Sequence, residues 1–311
     1  MSLRCATGPP GRPHELARRR ARGLRAAASQ SSRRPLTRGP IRLVRMSASL
    51  AVDTGCGVGC VGMRVTVRSG PLRTSRCGSH RRSHRWKNRA MRIALPSGTV
   101  AEVVRPAGTP RLGLVVTPDI FGVRPHFDAL AAGWARDWGM AVAVVDQYAG
   151  AQPGEDADIV ARYAAVAGID DDRHLADLHA AADELATPLA GLMGFCMGGM
   201  YCFNSARSDR FARIVSFYGM ITLPDAWKGP GHREPLDYLR RGHADRVLAV
   251  IGCKDTWTPA DQVAQLRELG VTVVDYPEAE HAFAHDPLRP AHRADDAADA
   301  FSRARAWLEG V

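Results

Sequence analysis

From residue 91 to the C-terminus, short apolar runs take turns with longer amphipathic stretches, and no other feature constrains the fold as much. Leu112–Thr117 (LGLVVT) is a continuous apolar run of the length of a buried strand, and the runs at 140–145, 189–193, Arg213–Phe217, 246–251 and 271–276 repeat the pattern. Between the first two, Phe127, Leu130, Ala131, Trp134 and Trp138 recur at the spacing of one helical face. The acidic, alanine-rich stretch 170–186 and the stretches 259–269 and 292–309 read as further helices. Nearer the start, MRIAL and TVAEVV flank Pro96-Ser97-Gly98, which suits a hairpin. Strands that are apolar throughout need cover on both faces, so the alternation predicts a mostly parallel sheet with helices on either side, an α/β fold. The polar, Gly- and Pro-bearing stretch 225–245 is expected to be loop.

Charge divides the chain near residue 90. Residues 1–90 hold 21 of the 42 Lys and Arg but only two acids, Glu15 and Asp53, so this segment carries +19 and the remainder −9. The overall charge of +10 therefore describes the leader and is no argument that the folded part binds nucleic acid. The leader is rich in Arg, Ser, Gly and Pro without a sustained apolar period, and is expected to be disordered, or an upstream extension of a reading frame whose functional start is Met91. A transit peptide and a nucleic-acid-binding arm are the competing readings. Cys56, Cys60, Cys77, His80 and His84 loosely follow zinc-ligand spacing, but nothing around them reads as an element that would hold a metal, so no metal site is expected. Residues 91–311 suffice for one domain. Seven irregularly spaced cysteines do not read as a disulfide framework, so a reducing, cytoplasmic setting is expected. No apolar run reaches the roughly 18–20 residues of a membrane helix.

Chemistry concentrates at Gly194-Phe195-Cys196-Met197-Gly198-Gly199, between a strand and an expected helix. This is the G-x-S-x-G nucleophile-elbow pattern with Cys in place of Ser. A side chain raised on so sharp a turn needs strained backbone angles, and side chains two positions away would collide, hence Gly194 and Gly198. The turn also aims amide N–H groups and a helix N-terminus at a developing oxyanion. A buried structural cysteine at a tight turn is the competing reading. Chain order argues against it: Asp255 follows the strand ending VIG, and His281 follows the strand ending VDY, as an acid and then a base should. His285 and His292 are rival bases, and His281 is preferred because it lies nearer its strand.

With these residues in view, the chain from 91 to 311 resembles the dienelactone hydrolase family of the α/β-hydrolase superfamily. The stretches PDIFGV, GFCMGG, GxxD ending at Asp255 and HAF beginning at His281 carry the resemblance. It implies a catalytic triad of Cys196, His281 and Asp255 and an oxyanion hole formed by the backbone amides of Ile120 and Met197. Two departures stand out. Asp119 occupies a position where the family usually has Glu, which touches the resting thiol, and His285 occupies one where dienelactone hydrolases hold a substrate carboxylate with Arg. Asp119 and His285 are thus candidates for modulating the thiol or contacting substrate.

The expected reaction is cleavage of a small ester, lactone or thioester through a thioester acyl-enzyme, with no cofactor, in a monomer or small homo-oligomer. A broad carboxylesterase or thioesterase on the same triad is the first alternative. A non-catalytic protein that senses oxidants through Cys196 is the second. Cys202 and Cys253 are read as packing residues.

Overall fold

The computed structural model describes residues 90–310, so the leader and its candidate zinc ligands lie outside the described residues. Eight strands form one sheet: β1 (Met91–Ala94), β2 (Val100–Val104), β3 (Leu112–Thr117), β4 (Ala141–Val145), β5 (Leu189–Phe195), β6 (Arg213–Phe217), β7 (Val247–Gly252) and β8 (Thr272–Tyr276). Their spatial order is β1-β2-β4-β3-β5-β6-β7-β8. The expected hairpin is present: β1 and β2 pair antiparallel around a turn in which the Gly98 N–H donates to the Leu95 carbonyl, with Gly98 at φ +86°. β2 also runs antiparallel to β4, whereas every pair from β4 to β8 is parallel.

Parallel strands need crossover connections, and helices supply them. The helices are α1 (Pro125–Asp137), α2 (Ile159–Ala167), α3 (Asp171–Glu184), α4 (Met197–Ser205), α5 (Pro235–Arg241), α6 (Ala260–Glu268) and α7 (Ala294–Glu309), the last of which follows β8 and connects no strands. Strand residues alternate between two cores, one on each face. Val142 and Val144 join Phe127 and Trp134 of α1 and Ala304 and Leu308 of α7, while Ala141, Ala143 and Val145 join Leu178 of α3 and Val263 and Leu266 of α6. α4 is buried along its whole length, so its apolar character all round follows from its place between the two cores.

The stretch 225–245, expected to be loop, contains a helix. Pro235 starts α5, where its missing N–H costs nothing, and Leu236, Tyr238 and Leu239 are buried on one side of it. The helix is too short for periodicity to announce it. α2 was likewise not anticipated; it is marked by Asp158, whose side chain accepts from the Ala161 N–H at 2.8 Å as an N-cap. No described helix is long and apolar enough to cross a membrane.

Candidate active site

The parallel sheet delivers the candidate residues to one edge, because β3, β5, β7 and β8 all end in loops on the same side. Cys196 follows β5 directly and takes φ +56° and ψ −116°, a conformation that side chains other than glycine seldom adopt. Its N–H donates to the Phe217 carbonyl at 3.0 Å and its carbonyl accepts from the Met200 N–H at 3.1 Å, so sheet and helix grip it from both ends. The expected need for glycine has a direct steric cause. A Cβ on Gly194 would lie 2.2 Å from the Gly198 carbonyl oxygen, and one on Gly198 would lie 2.0 Å from the Thr117 carbonyl oxygen.

Asp255 and His281 meet as the chain order predicted. The His281 Nδ1 lies 2.7 Å from Asp255 Oδ2, and the other carboxylate oxygen accepts from the Trp257 N–H at 2.8 Å. Asp255 is buried, so its charge has little water to screen it. His281 Nε2 is buried and has no hydrogen-bond partner among the described residues. Burial acts to lower the pKa of His281, but the nearby Cys196 sulfur as thiolate, followed by Asp255, outweighs it and pushes the pKa up to about 10. The Cys196 sulfur thus lies within electrostatic reach of the His281 ring.

The loop after β3 supplies the other half of the site. Gln147 Nε2 donates to the Asp119 carbonyl at 2.8 Å, and the Tyr148 hydroxyl donates to the Ile120 carbonyl at 2.8 Å. These bonds fix the peptide planes on which the Ile120 N–H is carried. Neither the Ile120 amide nor the Met197 amide is used by another group among the described residues.

Asp119 and His285, the candidates for modulating the thiol or contacting substrate, bond to each other. The Asp119 carboxylate is buried and accepts from Arg124 Nη1 at 2.7 Å and Nη2 at 3.0 Å, from Arg289 Nη2 at 3.1 Å, from His285 Nε2 at 2.9 Å and from the Phe121 N–H at 2.9 Å. Burial opposes its charge, yet the hydrogen bonds from His285 and Arg124 hold it well below the usual carboxylate range. Its acceptor capacity faces this cluster and not the thiol. His285 is buried with both ring nitrogens engaged, Nε2 by Asp119 and Nδ1 by the Tyr218 hydroxyl. His292 has a buried Nδ1 without a partner and no bond to either carboxylate. Cys202 is buried, donates to the Val215 carbonyl at 3.2 Å, and burial pushes its thiol well above the usual range, which fits a packing residue.

Sequence reasoning missed Arg124, Arg289, Tyr148 and Tyr218. Only Arg124 adjoins a recognised stretch, directly after Val123 of PDIFGV, and the others converge from distant parts of the chain. It also missed a cluster of aromatics beside the base. Trp257 stacks on Trp227 at 6.2 Å, stands edge-on to Tyr163 at 6.5 Å and lies 6.4 Å from His281. Burial, and then the Cys196 charge, raise the pKa of Tyr163.

An α/β-hydrolase sheet that raises a cysteine at an elbow, with an acid and a histidine following in chain order, defines the class. Residues 100–311 match the dienelactone hydrolase family, and the chain belongs to that family of hydrolases. Among curated relatives, a probable 2-oxo-3-(5-oxofuran-2-ylidene)propanoate lactonase of Bradyrhizobium is 28% identical over 222 residues, 67% of this chain and 88% of the relative. A carboxymethylenebutenolidase of Pseudomonas putida is 25% identical over 214 residues, 65% of this chain and 80% of the relative. Among solved structures, that of a putative dienelactone hydrolase from Klebsiella pneumoniae superposes with a TM-score of 0.63 at 26% identity, covering 71% of this chain and 98% of the other.

Proposed function

We propose that residues 91–311 form a catalytic domain that hydrolyses a small ester or lactone through a Cys196–His281–Asp255 triad. One observation carries the reading: the Asp255 carboxylate holds His281 Nδ1 at 2.7 Å while Nε2 is left without another partner beside the elbow cysteine. Asp255 keeps the imidazole in the tautomer that presents Nε2 to the sulfur and stabilises the imidazolium. The proton of the Cys196 thiol passes to Nε2 and the thiolate attacks the carbonyl carbon. The negative charge that develops on the carbonyl oxygen is met by the Ile120 and Met197 amides and by the N-terminus of α4. Collapse breaks the bond to the alcohol oxygen, which takes the proton from His281 and leaves an acyl thioester. A water then gives a proton to His281, adds to the thioester carbonyl and releases the acid, returning the sulfur.

The substrate reading rests on the rim. The guanidinium carbons of Arg124 and Arg289, both part-exposed, stand 5.5 and 5.2 Å from the centre of the Phe121 ring, next to Ile120. Such a rim suits a substrate that bears a carboxylate, as the propanoate lactonase of Bradyrhizobium takes. A broad carboxylesterase would lack this preference, and neutral against carboxylated esters separate the two.

The test is a rapid quench with p-nitrophenyl acetate followed by peptide mass analysis. One acetyl group per chain, on the peptide bearing Cys196 and lost again on longer incubation, is the expected result. Turnover with no acyl group on that peptide would remove the thioester mechanism.

A further inference from the structure

The chain of bonds from Tyr218 through His285 to Asp119 joins the two halves of the site, and the reaction above uses none of the three. Tyr218 follows β6 at φ +40°, a left-handed conformation in a bulky residue, and its N–H is fixed by the Val250 carbonyl at 2.8 Å. From there its ring stands edge-on to His281 at 5.3 Å, and its hydroxyl meets His285 Nδ1. Asp119 is an anion and can only accept, so the proton of the ring lies on His285 Nε2, and Nδ1 is the acceptor for the Tyr218 O–H. Burial lowers the pKa of His285, which agrees with a neutral ring. His126 Nε2 lies 2.9 Å from the His285 carbonyl and fixes its backbone as well.

Asp119 is the residue before Ile120, and its carboxylate also accepts from the Phe121 N–H, so its side chain spans the Ile120 peptide from one side to the other. Whatever holds that carboxylate holds the direction of the Ile120 N–H. Arg124 grips it from the same loop, but His285 and Arg289 come from the segment after the triad histidine and bring an anchor from across the site. The carboxylate is one methylene shorter than a glutamate, so it stays beside its own peptide. We infer that His285 is a positioning residue, which through Asp119 fixes the Ile120 amide as an oxyanion donor and through Tyr218 registers that donor against His281. This assignment rests on the triad reading above, but it makes a separate claim: the ring of His285 acts on the loop and touches neither substrate nor thiol.

The experiment compares two reactions of the same sulfur in the full chain. Alkylation by iodoacetamide needs the thiolate but forms no oxyanion, whereas acylation by p-nitrophenyl acetate needs both. In His285→Leu and Tyr218→Phe, acylation is expected to slow by about 10- to 100-fold, less than the roughly 10²–10³ that loss of a whole oxyanion donor costs. KM and the alkylation rate stay within about twofold, and His285→Gln, which keeps an N–H for Asp119, recovers part of the loss. If KM rises while kcat is kept, the residue contacts substrate and the inference fails. If both reactions slow together, or if neither slows, it fails as well. Should His285→Leu not fold, Tyr218→Phe, which loses only one oxygen atom, decides. Cys196→Ala run alongside separates the two readings. Retained esterase activity there sinks the triad, whereas an inactive Cys196→Ala beside a fully active His285→Leu sinks only the positioning role.

Discussion

Cys196→Ala is expected to lower kcat for ester hydrolysis by on the order of 10⁴-fold or more, equivalent to about 5.4 kcal/mol of transition-state stabilisation. The magnitude follows from what is removed. No neighbouring group can replace the nucleophile: Asp255 is held by His281 and the Trp257 amide, and Cys202, though on the next turns of α4, is buried and donates to the Val215 carbonyl. The residual rate would come from the amides of Ile120 and Met197 and from His281 acting on water. Folding should be little affected, because the change removes one atom from a side chain that packs at the surface of a core. Steady-state kinetics with p-nitrophenyl acetate and a thermal melt check the two halves. A variant that retains more than about a tenth of the activity would contradict the covalent mechanism.

The second large effect is on stability. Gly198→Ala would place a methyl group 2.0 Å from the Thr117 carbonyl oxygen and 2.4 Å from that of Pro118. Both oxygens belong to backbone, so no rotamer change relieves the clash; β3 and α4 must move apart. Forced overpacking of this kind costs typically 1–3 kcal/mol where side chains can give, and here about 3 kcal/mol or more is expected. Against a total stability on the order of 5–15 kcal/mol, that is a large share. The midpoint of urea unfolding should fall accordingly. The loop that moves carries Ile120, so any folded fraction should also acylate slowly. Wild-type stability in Gly198→Ala would mean that the elbow is looser than its geometry implies.

Much of this site could be read in the residues themselves, for a physical reason. A nucleophile elbow needs glycine at fixed distances from the nucleophile, and strands buried on both faces are apolar without interruption, so Gly194, Gly198 and the runs that became β3, β5 and β7 are visible locally. The order of Cys196, Asp255 and His281 is likewise a property of chain direction in a parallel sheet. The partners of Asp119 were not visible in that way. His285 and Arg289 lie about 170 residues further on, and nothing in their surroundings says that they turn inward to meet a carboxylate. α5 escaped notice because seven residues give too little periodicity, and the expectation that 225–245 was loop followed its composition.

Cys196 after β5, Tyr218 after β6 and Ala282 next to His281 after β8 are residues other than glycine that take positive φ at the reacting end of the sheet. Each is held in a conformation that a free peptide would leave, by the strands behind it. The geometry of catalysis is thereby tied to the integrity of the sheet and not to the contacts of the reacting groups with one another. Loosening any of the three strand ends would let its turn relax and withdraw one participant, so the active arrangement exists only as long as the fold's most ordered layer does.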